Sequence, residues 1–64
     1  MILKMIEIID NDGIKTFEID FIDKNNEIEN LKHLCCNVVN IIGNLYLLIF
    51  NNQDNLLKFK MMVN

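Results

Sequence analysis

The chain contains no arginine, alanine, proline, serine or tryptophan, and only two glycines. Arginine supplies the bidentate contacts that read guanine and clamp phosphate. Its absence, with a formal net charge of -3 and a pI near 4.8, argues against direct nucleic-acid binding. Gly13 and Gly43 stand alone, so neither belongs to a glycine-rich loop that could cradle a phosphate. Nothing reads as a linker, repeat or low-complexity block, and residues 1–64 are expected to form a single domain. Eleven Asn, eleven Ile and six Lys fill the gaps. Such usage matches an AT-rich coding sequence, which is a statement about codons and not about mechanism.

Apolar residues are the surplus. They make up 52% of the chain, above the roughly 45–50% usual for globular domains. A chain this short buries only about 60% of the surface its unfolded form exposes, so the excess either crowds a thin core or covers a partner. Lys4, Glu7 and Asp10 interrupt the first apolar run before it reaches signal-peptide length. The uncharged tract from Cys35 to Gln53 carries Asn37, Asn40, Gly43 and Asn44, which excludes a membrane span. The two cysteines are adjacent, a poor arrangement for stapling a small fold, and a reducing, cytoplasmic location is expected.

No side-chain constellation points to catalysis or to a cofactor. In "HLCC", His33, Cys35 and Cys36 fall on a segment read as helix, where successive residues diverge by about 100°, so the three cannot converge on a metal without further ligands. Cys36 lies far from the helix N-terminus that would lower its pKa, and His33 is expected to pair with Glu29 on the same helix face. Glu7, Glu18 and Asp20 lie on an open strand face and not in a cleft that would separate their pKa values. No enzyme, metal site or cofactor is therefore expected.

Segment by segment, Asp12-Gly13 suggests a two-residue type I′ turn joining strand-like segments 1–10 and 14–23. That register sets Ile8 opposite Phe17 and Ile6 opposite Ile19, which with Phe21 would form the inner face. "NEIENLKHLCCNVVNIIGN" reads as a helix capped by Asn26 and ended by Gly43, with Ile28, Leu31, Leu34, Cys35, Val38, Ile41 and Ile42 on one stripe. Strands at 45–50 and 56–63 follow. The expectation is an α+β, two-layer ββαββ fold, with an antiparallel sheet in order 2-1-3-4 and one helix packed on one face.

In that arrangement "LYLLIF" is mid-sheet and apolar on both faces. Tyr46, Leu48 and Phe50 are expected on the uncovered side, because a tyrosine hydroxyl is satisfied more easily at a wet face. Met5, Ile9 and Met62 would join them in an exposed apolar patch, together with Leu3 and Leu56. Residues 1–30 hold eight of the nine acids against three lysines, and residues 31–64 hold one acid against three. Glu7, Glu18 and Asp20 would then form an acidic rim, and Lys58 and Lys60 a basic one. Such a surface is self-complementary about a two-fold axis, which suggests a homodimer.

The functional expectation is a small non-enzymatic module that binds another protein by surface contact. Its size and composition suit a phage or mobile-element accessory protein that inhibits a host defence or nucleic-acid-processing enzyme. A structural subunit that self-assembles or packs into a larger complex is the alternative.

Overall fold

The computed structural model describes residues 1–63 and has the element order β1 (Ile2–Ile9), β2 (Lys15–Ile22), α1 (Ile28–Leu31), β3 (Asn37–Ile42), β4 (Leu45–Phe50) and α2 (Gln53–Met62). A 3-10 turn, Lys32–Leu34, continues α1. The four strands form one antiparallel sheet in the order β1-β2-β4-β3. The fold is α+β. It has two helices where one was expected, and its strand order is not 2-1-3-4.

The first hairpin turns through three residues, Asn11-Asp12-Gly13. Gly13 N–H donates to Asp10 O (3.1 Å), Asp10 N–H donates to Ile14 O (3.0 Å), and of the three only Gly13 has positive φ (78°). This is a type I turn followed by a glycine bulge. The Asp10 carboxylate locks it by accepting from Asp12 N–H (2.8 Å) and Ile14 N–H (2.9 Å). The extra loop residue shifts the register by one from the expected pairing, so Glu7 faces Phe17 and Met5 faces Ile19. In consequence Met5, Glu7 and Ile9 lie on the face of Phe17 and Ile19, and Ile6 and Ile8 turn to the opposite face.

Residues 26–43 do not form a long helix. Asn26 takes positive φ (56°) and makes no cap. The buried Asp23, 7% exposed, caps α1 instead, accepting from Glu27 N–H (2.7 Å) and Ile28 N–H (3.2 Å). After one turn of α-helix and one of 3-10, β3 begins. Val38, Val39, Ile41 and Ile42 are β-branched, which favours a strand over a helix. Gly43-Asn44 then closes a two-residue hairpin in which Gly43 alone has positive φ (56°), as a type II′ turn requires.

Residues 53–62 form a helix where a fourth strand was expected. The Asn52 side chain caps it by accepting from Asp54 N–H (2.8 Å) and Asn55 N–H (3.2 Å). Leu56, Phe59 and Val63, spaced three and four apart, are buried, and Leu57, Met61 and Met62 are exposed.

Both helices cover the same side of the sheet. Ile28, Leu31, Leu34, Leu56, Phe59 and Val63 join Ile19 and Phe21 of β2 and Leu48 and Phe50 of β4 in one core. Phe59 sits between two sheet aromatics, edge-on to Phe21 at 5.3 Å and tilted against Phe50 at 5.2 Å between ring centroids.

This packing makes α2 testable by truncation. Phe59→Ala should cost about 3–5 kcal/mol of unfolding free energy in urea titration, whereas Met61→Ala, at a position 84% exposed, should stay within about 0.5 kcal/mol of wild type. Equal losses at both positions would contradict the helix, because a strand would place the two side chains on one face.

Candidate protein-binding face

On β4 the structure reverses the expected orientation. Leu48 and Phe50 are 0% exposed and lie under the helices, and Tyr46 is half-buried on the same side. The cause is β2. Ile19 pairs with Leu48, Phe17 with Phe50 and Phe21 with Tyr46, and directly paired residues share a face. Tyr46 at the margin of the core can bury its ring without burying its whole side chain, so it does not require the open face.

The uncovered face carries the other set. Leu45, Leu47 and Ile49 of β4 are half-buried there, beside Val39 and Ile42 of β3. Ile42 is 73% exposed. Beyond β2 the same face holds Ile6 and Ile8 of β1, both exposed. Across the strands the ladder runs Ile6, Glu18, Ile49, Asn37 in one row and Lys4, Asp20, Leu47, Val39 in the next.

Glu18 and Asp20 therefore stand in the middle of this face and not along a rim, because β2 is an interior strand. The expected basic rim is missing from it, since Lys58 and Lys60 lie on α2 in the helix layer. Met62 is also on α2, and Leu56 is buried there. Met5 and Ile9 are exposed on the helix side of β1, beyond the cover of the helices. Glu7 shares that side and pairs with Lys15 at 3.3 Å. The surface described above, with its two rims, thus breaks into parts on opposite sides of the molecule.

Among the described residues the only other ion pair is Glu29–Lys32 at 2.9 Å. Glu18 and Asp20 have no partner of this kind, although Lys4 stands beside Asp20 in the ladder. An apolar sheet face with two unpaired carboxylates at its centre suits a surface that carries both apolar groups and cations.

The sulfur and imidazole groups do not converge. His33 is exposed on the 3-10 turn, Cys36 is exposed after it, and Cys35 is half-buried against the core. Among the described residues no three His, Cys, Asp or Glu side chains gather as a metal site would need. Burial, and secondarily the neighbouring Cys36, push the Cys35 thiol up to about 11. An open groove of about 440 Å³ runs between the 3-10 turn and α2, lined by His33, Leu34, Asn55, Lys58, Met61 and Met62. Among the described residues no helix is long and apolar enough to cross a membrane.

The uncovered face was missed in the sequence because its membership depends on two registers. A usable signal was present: Glu18 and Asp20 alternate with Phe17, Ile19 and Phe21, so whatever pairs with Ile19 has to face the core. No protein-family model matches the chain, and comparisons with curated proteins and with solved structures find no match.

Two measurements check this geometry. Leu47→Lys should leave a folded protein within about 1 kcal/mol of wild type, whereas Leu48→Lys buries a charge in the core and should abolish the cooperative unfolding transition. The reverse result would restore the expected orientation of β4. For the thiols, alkylation should modify Cys36 first. The rate at Cys35 should climb about tenfold per pH unit while its thiolate fraction grows, levelling only near pH 11; a plateau near neutral pH would contradict the buried thiol.

Proposed function

We propose that this chain is a non-enzymatic protein-binding module acting by surface contact, through the uncovered face of its sheet. One observation carries the reading: Leu45, Leu47, Ile49, Val39, Ile42, Ile6 and Ile8 form an apolar face around two unpaired carboxylates, Glu18 and Asp20. Isolated exposed apolar side chains are ordinary on protein surfaces, but a contiguous group on the flat side of a sheet marks an interaction surface. The central carboxylates specify the partner's chemistry. A partner that covered them without offering lysine or arginine would strand two charges in a dry interface, at a cost of several kcal/mol.

A cationic groove that normally holds nucleic acid meets this requirement. In an extended strand Glu18 and Asp20 are about 6.6 Å apart along the chain, so they offer two successive negative charges on a rigid support. This favours inhibition of a nucleic-acid-processing enzyme as the biological role, consistent with the small, acidic, arginine-free character of a phage or mobile-element accessory protein. A structural subunit would use the same apolar face but would gain nothing from the carboxylates at its centre.

The test compares three proteins in capture from lysate: wild type, Leu47→Lys and the double variant Glu18→Lys/Asp20→Lys. A specific partner should be lost with both variants, and its capture by wild type should weaken as salt rises. Capture that survives the charge reversal at low salt would remove the electrostatic part of the reading. Assembly of the wild type alone into large species would favour the structural subunit.

A further inference from the structure

We propose that two copies of the chain associate through the open edge of β1, antiparallel about a two-fold axis perpendicular to the sheet, giving one continuous eight-stranded sheet. The inference is independent of the uncovered face, because it uses the main chain of an edge strand and not a sheet surface.

β1 is the longer of the two edge strands, and such protection as it has, a bulge before Lys4 and Lys4 itself, lies toward its start and leaves Met5 to Ile9 open. Seven of its eight residues are exposed. Asp10 N–H donates to Ile14 O, and bonding to a neighbour alternates along an antiparallel strand. Ile8, Ile6 and Lys4 therefore turn their backbone groups toward β2, while Ile9, Glu7 and Met5 turn theirs to the open edge. A protected edge carries proline, a bulge in mid-strand or free charges. The chain has no proline, the one irregularity of β1 falls between Ile2 and Lys4 and leaves Lys4 to Ile9 regular, and of its two charges Glu7 is held within its own hairpin. Glu7 pairs with Lys15, and Lys4, opposite Asp20 in the register but in no ion pair among the described residues, stands at the end of the regular stretch.

A second copy fits this edge. The two-fold axis keeps each face of the sheet on its own side, so odd residues meet odd and even meet even. An axis through Lys4 or Glu7 would set like charges opposite each other. An axis through Ile6 gives the longest regular overlap and avoids that clash: Ile6 faces its own copy, Lys4 faces Ile8, and Met5 faces Glu7. The outward backbone groups of Met5 and Glu7 then bond reciprocally across the axis. Leu3, Met5, Ile6, Ile8 and Ile9, all exposed in the single chain, gain neighbours on both faces. Growth stops at two, because β3 at the other edge is shorter and bulged between Asn40 and Ile42.

Sedimentation across a concentration series, with amide hydrogen exchange by NMR at high concentration, tests the arrangement. Wild type should pass from monomer to dimer, and in the dimer the N–H groups of Met5 and Glu7 should be as protected as those of Ile6 and Ile8. Met5→Pro removes one outward N–H without touching a bond to β2, and should weaken dimerisation at least tenfold while keeping the far-UV spectrum. Ile6→Pro, which removes a bond to β2, should instead lower the melting temperature. A wild type that remains monomeric overturns the proposal, as does a dimer in which Met5 and Glu7 exchange freely or one that survives Met5→Pro. If Met5→Pro does not fold, the exchange pattern of the wild-type dimer decides alone.

Discussion

An ionised carboxylate cannot enter an apolar core without a partner, a cost of several kcal/mol in a small domain, and β2 carries two of them, at Glu18 and Asp20, on one face. That constraint turns Phe17, Ile19 and Phe21 toward the helices. The pairing of Ile19 with Leu48 passes the choice to β4, where both alternating sets are apolar and neither would be selected by polarity alone. Leu48 and Phe50 go inside because they stand opposite Ile19 and Phe17. The helices then have a floor, and Phe59 closes the core by packing against Phe21 and Phe50 at once. The uncovered side is what remains, and it combines the displaced carboxylates with the other half of the apolar residues.

Much of this is legible in the residues. A hairpin turning at Asp12-Gly13, the alternation of β2 and the extent of β4 follow from turn chemistry and period alone, though not the length of the loop. Two segments resist, and they exchange identities. In "NVVNII" the apolar residues fit a helical stripe that continues from Leu31 and Leu34, so the periodicity extends smoothly through what is a chain reversal. Four β-branched side chains and the following Gly-Asn, a two-residue hairpin signal, are the competing features. In "QDNLLKFKMM" the alternation of Lys58 and Lys60 with Phe59 and Met61 imitates a strand. The Leu, Lys and Met content and the Asn52 cap favour a helix, and they prevail.

A further discrepancy is a single residue in one loop, with wide consequences. A two-residue turn would need positive φ at Asp12 as well as Gly13. The Asp10 carboxylate instead bonds two backbone N–H groups and stabilises a three-residue loop. Because side chains alternate with a period of two, that one residue moves Ile6 and Ile8 from the core side to the uncovered side. Of the candidate interface residues, Leu48 and Phe50 leave the surface altogether, and Met5, Ile9 and Met62 pass to the helix side. Turn type is set by local side-chain hydrogen bonds, whereas face assignment is read from hydrophobic pattern. In β1, apolar residues sit in both alternating sets, so the pattern has nothing to say about which face is which.

This two-sided pattern also bears on why the chain is so rich in apolar residues. The helix layer is one short turn and one helix of ten residues, enough to cover β2 and β4 but not β1. A strand with isoleucine on both faces and cover at Ile2 alone would be a liability if it remained solitary, because its edge invites any extended segment to pair. The proposed self-pairing would remove that liability with a second copy of the chain, and it would leave the flat uncovered face free for another protein. Two surfaces at right angles, one along the strand edge and one across the sheet, would let a small chain be stabilised by its own copy and still bind elsewhere. In such a dimer two sets of Glu18 and Asp20 would lie on the same side of one sheet, so the geometry that stabilises the fold would also double the charge it presents.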